Sequence, residues 1–99
     1  MAGPPQEHAE RHLVRLGWLA TADIAEVHVY TAGKWGLDQA DAYLEFLAAL
    51  MREAASNPAL GAPVEGRPAV LMLLCKWKGA KAGHRLFFLR GESGILVLR

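Results

Sequence analysis

The chain has 99 residues, 53% hydrophobic and 21% charged, with eleven Lys and Arg against ten Asp and Glu for a formal charge of +1. That length holds one small domain with a modest core and excludes a second, and the near-zero charge gives no bulk argument for nucleic acid or membrane. A single cysteine, Cys75, excludes an intrachain disulfide and a cysteine-based zinc site and points to a reducing compartment.

In chain order, residues 1–11 read as a flexible polar tail around Pro4 and Pro5, without the apolar core of a signal peptide. No run is long and apolar enough to span a bilayer, so a soluble cytoplasmic protein is expected. From His12, the pattern Leu13, Val14, Leu16 predicts a short strand, and Gly17 releases the chain into a helix. On that helix Ala20, Ile24, Val27 and Tyr30 or Thr31 recur at three- and four-residue steps, so one face is expected to be buried, with Gly33 as its end. Gly33 and Gly36 then allow a sharp reversal, with Trp35 between them as the expected packing anchor.

The second helix is the clearest element. Ala40, Tyr43, Leu44, Leu47, Leu50, Met51 and Ala54 form a continuous stripe, with Asp38 and Asp41 in the expected first turn, where the helix dipole favours negative charge. Asn57-Pro58 should stop it near Ser56, because a residue before proline is pushed out of the helical region. Leu60 to Pro63 and Gly66 to Pro68 read as a surface loop.

Ala69 to Lys78 is apolar at alternate and intervening positions alike, which predicts a strand buried on both sides. Gly79 to Gly83 forms a turn, His84 to Arg90 a strand, Gly91-Glu-Ser-Gly94 a tight hairpin, and Ile95 to Arg99 the last strand. The fold class is α+β: an N-terminal strand, a helical hairpin, then a three-stranded antiparallel meander (β-α-α-β-β-β), with the hairpin on one face of an antiparallel sheet. Two helices cover one face only. Val70, Met72, Leu74 or their alternates, with residues among Leu86, Phe87, Phe88 and Leu89, are therefore expected on an uncovered apolar face, and a patch of that kind marks a binding surface unless the sheet curls or a homodimer buries it.

Charge is unevenly spread. After Glu65 come Arg67, Lys76, Lys78, Lys81, Arg85, Arg90 and Arg99 against Glu92 alone, so the sheet half suits an acidic partner or carries ordinary protection of strand edges. Basic groups converging there would also suit RNA phosphate, but no residue offers itself as the general base that cleavage needs. His8, His12, His28 and His84 lack metal-ligand spacing, and phosphate-loop, dinucleotide and serine-hydrolase motifs are missing. Cys75 reads as an inert core thiol, and no cofactor, metal or catalytic residue is expected.

Several stretches taken together carry a resemblance: Tyr30-Thr31, Trp35-Gly36, Gln39-Ala40, Tyr43, Leu47, Asn57-Pro58, Leu60-Gly61, His84-Arg85 and Phe87-Phe88. In this order and spacing, with Ala22-Asp23-Ile24 and Val27 before them, they resemble the ParE branch of the RelE/ParE toxin superfamily over residues 12–99. The resemblance implies a bacterial toxin of a type II toxin-antitoxin pair, non-enzymatic, neutralised by a ParD-like antitoxin in a hetero-oligomer and acting on DNA gyrase when free. No membrane and no direct nucleic acid contact are expected on that reading.

The antitoxin is expected on Val70, Met72, Leu74, Leu86 and Phe88 with exposed residues of the hairpin. The target is expected on Lys76, Lys78, Arg85, Arg90 and Arg99. Trp35, Gly36, Gln39 and Tyr43 are assigned to holding the corner.

Two departures from the family pattern stand out. The family continues past its last strand with a Leu-His pair and a short tail tied to toxicity, whereas this chain ends at Arg99, so a shortened, weakened or divergent end is expected. Ala69 to Gly83 is also more apolar, and its turn longer, than the branch's usual form. Antitoxin binding is thus the firmer implication, and two rivals are distinguishable. A ribosome-dependent mRNA endonuclease of the RelE kind would lose cleavage on Lys76→Ala with Arg85→Ala. A degenerate antitoxin-binding module would form the complex without arresting growth.

Overall fold

The computed structural model describes residues 13–77 and 83–99; the expected tail, Lys78 and most of the Gly79 to Gly83 turn lie outside the described residues. The elements are β1 (Leu13–Leu16), α1 (Trp18–Trp35), α2 (Leu37–Ser56), β2 (Ala62–Val64), β3 (Arg67–Cys75), β4 (His84–Gly91) and β5 (Gly94–Val97). The α+β class and the order of the expected elements are as read from the sequence. No described helix is long and apolar enough to cross a membrane.

The sheet differs from the expected one in two respects. It has five strands in the order β1-β5-β4-β3-β2, and β1 pairs with β5 in parallel while the other pairs are antiparallel. A parallel pair needs a long connection, and the helical hairpin with the meander behind it supplies one. Gly94 makes the pairing possible: at φ 150° its absent Cβ would stand 1.9 Å from the Leu13 carbonyl oxygen. Leu13 N–H donates to Ser93 O at 2.7 Å and Gly17 N–H to Val97 O at 2.8 Å, so both ends of β1 are pinned. The additional strand, β2, falls in the stretch expected to be loop. Pro63 brings no N–H to a ladder and is tolerated because β2 is an edge strand.

Helix α1 runs through Gly33 to Trp35, and the reversal is made at Gly36 alone. Its φ of 98° is open to glycine and costly for other residues. Gly36 N–H donates to Ala32 O at 2.9 Å and its own carbonyl accepts from Ala40 N–H at 3.1 Å, so one residue closes one helix and opens the next. Only Asp38 lies in the first turn of α2. Asp41, a turn on, instead meets His28 of α1 at 2.9 Å.

The stripe on α2 is buried at Ala40, Leu47, Met51 and Ala54 and half-buried at Tyr43, Leu44 and Leu50, and Ala55 is buried beside it. Leu47, Met51, Ala54 and Ala55 pack with Ala20, Cys75, Leu86, Phe88, Ile95 and Val97 to form the core. The closest helix-to-sheet packing is α2 on β1 and β5. Strand β3 is therefore not buried on two sides: Val70 to Leu73 are half-buried and Leu74 is 45% exposed, with Cys75 alone fully enclosed.

Candidate functional site

The register of β3 on β4 decides which apolar residues stay open. Leu71 pairs with Phe88, Met72 with Phe87, Leu73 with Leu86 and Leu74 with Arg85. Leu86 and Phe88, 6% and 0% exposed, belong to the core beneath the helices rather than to the uncovered face. Val70, Met72 and Leu74 do lie on that outer face, and Phe87 takes the place expected for Phe88. The outer surface continues through Leu89, paired with Leu96, and Leu96, paired with Arg15. The run Leu86-Phe-Phe-Leu89 is apolar on both parities, so alternation within it cannot choose a face, and a slip of one residue would exchange them.

The basic residues converge only in part: Arg85 and Arg99 line one hollow against α1. Arg85 is exposed on the outer face and Lys76 is exposed beyond the end of β3, while Lys78 is outside the described residues. Arg90 points inward, where its Nη2 donates to Asn57 O at 3.3 Å and Leu60 O at 3.2 Å, with the guanidinium 5.7 Å from the Phe88 ring. It holds the chain after α2 against the sheet and is not free to meet a target. Arg99 Nε donates to Asp23 Oδ2 at 3.1 Å, which ties the residue to α1. Basic residues spaced along two strands and a terminus had suggested one patch; β4 alternation turns Arg90 away from Arg85, while Arg99 shares a hollow with Arg85 but is held by Asp23.

The corner residues prove to be more than architecture. Trp35 is 65% exposed, so it does not anchor the core. With Val27, Tyr30, Thr31, Gln39, Tyr43, Trp77 and His84 it lines a groove of about 620 Å³ between the helical hairpin and the β3–β4 end of the sheet. Glu26, Val27 and His84 also line a smaller hollow of about 310 Å³ that reaches Leu47 and Leu86, so the groove extends along α1 toward the core.

Tyr43 organises the floor of this groove. Its ring meets Trp77 edge-on at 5.6 Å and lies 5.7 Å from Phe46 and 5.4 Å from His84, and its hydroxyl shares a hydrogen bond with His84 Nδ1. Trp77 in turn packs edge-on against Phe46 at 5.1 Å. Burial first, and then the neighbouring Cys75, push the Tyr43 phenol above its ordinary value. Burial also pushes the Cys75 thiol up to about 11, so it stays protonated at neutral pH and is no nucleophile. Among the described residues no group of three or more His, Cys, Asp and Glu could hold a metal ion. The lining is largely aromatic and aliphatic with a few polar groups at the rim, the composition common to ligand-binding clefts.

A helical hairpin on one face of an open sheet, with apolar surface left on the other face and along the hairpin, is the α+β architecture of the RelE/ParE toxins. Residues 14–99 match the profile of the ParE toxin of type II toxin-antitoxin system, parDE, and the chain belongs to that family. It is similar to Toxin ParE1 of Mycobacterium tuberculosis, in strains CDC 1551 / Oshkosh and ATCC 25618 / H37Rv. In each case 37% of 82 residues are identical, covering 81% of this chain and 78% of the relative.

Proposed function

We propose that the chain is the toxin half of a toxin-antitoxin pair, kept inactive by a ParD-like antitoxin and inhibiting DNA gyrase when free, without itself catalysing a reaction. The observation that carries antitoxin binding is the apolar surface left open on two sides: the aromatic groove along α1 and the outer face of Val70, Met72, Leu74 and Phe87. A disordered antitoxin tail that folds on contact suits both, with an amphipathic helix seated in the groove and the following chain crossing the sheet. Met72 and Phe87 lie at the centre of the sheet portion; Trp35 and Tyr43 supply aromatic anchors in the groove.

Binding rather than catalysis is supported by the state of the groove's reactive groups. Tyr43 is bonded to His84, its phenol and the Cys75 thiol are both held toward their protonated forms, and neither offers an activated nucleophile or base. Gyrase as the target rests on membership of the ParE family and is open to a direct test. Purified gyrase is assayed for supercoiling with increasing folded toxin, alone and premixed with the product of the neighbouring upstream gene. Inhibition relieved by that product is expected. Full supercoiling at toxin excess would reject the gyrase reading, and failure of the two proteins to form a complex would reject the antitoxin reading.

A further inference from the structure

The charges of this chain divide by element. Among the described residues the strands carry Arg15, Arg67, His84, Arg85 and Arg90 and no Asp or Glu, whereas the acidic side chains sit on the helices or in turns. On the sheet side, Trp18 is 79% exposed at the start of α1, more than any other large apolar side chain among the described residues. It shares a hollow of about 400 Å³ with Arg67, Val70, Phe87 and Arg99. Arg85 stands two residues before Phe87 on the same face. Arg99 is partly neutralised by Asp23, but the side chains of Arg67 and Arg85 make no hydrogen bond or ion pair among the described residues.

We propose that this hollow binds single-stranded nucleic acid, with a base stacked on the Trp18 indole beside Phe87 and the backbone phosphates held by Arg67 and Arg85. An exposed indole offers a flat face that any base can cover. Guanidinium forks grip phosphate oxygens in pairs, and the cationic side chains of these strands are arginines, not lysines. A purely acidic peptide would use the charge but leave the indole in water. A duplex keeps its bases stacked on each other and would leave it equally bare. This inference goes beyond the toxin reading and is independent of whether gyrase is the target. It departs from the expectation that direct nucleic acid contact is absent, and the binding experiment decides between the two.

The test is fluorescence anisotropy of labelled oligothymidylate, oligouridylate and a blunt DNA duplex titrated with the folded chain, with polyglutamate as competitor. Both single strands are expected to bind with Kd in roughly the micromolar range at low salt, and the duplex more weakly. Trp18→Ala, at a site exposed enough to leave the fold intact, should weaken binding about tenfold. Arg67→Gln with Arg85→Gln should weaken it too and flatten the dependence of log K on log salt by about 1.4, at 0.7 for each lost phosphate contact. Binding of both single strands, whichever is the tighter, supports the proposal. The proposal is overturned if single strands fail to bind, if the duplex binds equally well, or if Trp18→Ala changes nothing. Displacement by polyglutamate as effective as by unlabelled oligonucleotide also overturns it, and assigns the patch to an acidic protein.

Discussion

Arg90 Nη2 donates to the carbonyl oxygen of Leu60 at 3.2 Å, and also to that of Asn57 at 3.3 Å, so a β4 side chain closes the exit of α2. Backbone carbonyls after a helix end otherwise look for water or a capping group. The Asn57 side chain completes the turn by accepting the Ala59 N–H at 3.0 Å. Arg90→Ala is expected to cost about 1–3 kcal/mol, because charge-assisted hydrogen bonds to a partly buried guanidinium are lost. Urea unfolding checks this, while antitoxin affinity measured on the folded variant should be unchanged.

At Gly94, an added Cβ would meet Leu13 O at 1.9 Å and Leu13 N at 2.5 Å, both backbone atoms that cannot step aside. Gly94→Ala should therefore detach β1 and destabilise the protein by about 2 kcal/mol or more. Amide hydrogen exchange would show protection lost at Leu13 and Gly17, whose N–H groups donate to Ser93 and Val97. Unchanged protection there would contradict the pairing.

Adjacent phenylalanines separate stability from binding. Phe88 is fully buried in the core, so Phe88→Ala should lower stability by about 3–5 kcal/mol. Phe87 faces outward, and Phe87→Ala should cost far less in unfolding experiments while weakening antitoxin binding, measured by calorimetry, by about 2 kcal/mol. Trp35→Ala is expected to behave like Phe87→Ala, since its ring is 65% exposed at the groove. The reverse pattern for the two phenylalanines would require a different register of β4.

Stability should fall in alkaline solution. The Cys75 thiol is raised from 9.0 to about 11 in the folded state, so between those values the unfolded chain loses its proton while the folded chain keeps it. Stability is therefore complete below about pH 9 and lost as pH rises toward 11, by about 2–3 kcal/mol, with Tyr43 acting in the same direction. Melting temperatures across this range should drop for the natural chain and drop less for Cys75→Ala, which starts lower for want of packing but has no thiol to ionise.

Much of this molecule could be read along the chain. Helix α2 declared itself because its apolar stripe recurs at helical spacing and Asn57-Pro58 blocks continuation, both local matters of backbone geometry. The family could be recognised because Trp35, Gly36, Gln39 and Tyr43 keep fixed spacing. The outcome at Gly33 was less legible, since a helix tolerates an isolated glycine and only the φ of 98° at Gly36 stops it.

Reading along the chain supplied every element except β2, their order and the existence of apolar surface in excess of what two helices cover. Local periodicity and turn chemistry suffice for that, because they involve residues a few positions apart. Tertiary structure decided everything that depends on which strand lies beside which. It placed β1 parallel to β5, put Phe88 in the core and Phe87 outside, and drew Arg90 and Arg99 into contacts with Leu60 and Asp23. It also turned the corner from a brace into the wall of a groove. In a run such as Leu86-Phe-Phe-Leu89 the two faces are chemically alike, so only long-range pairing, through the register of β3 and the cover of α2, separates core from binding surface.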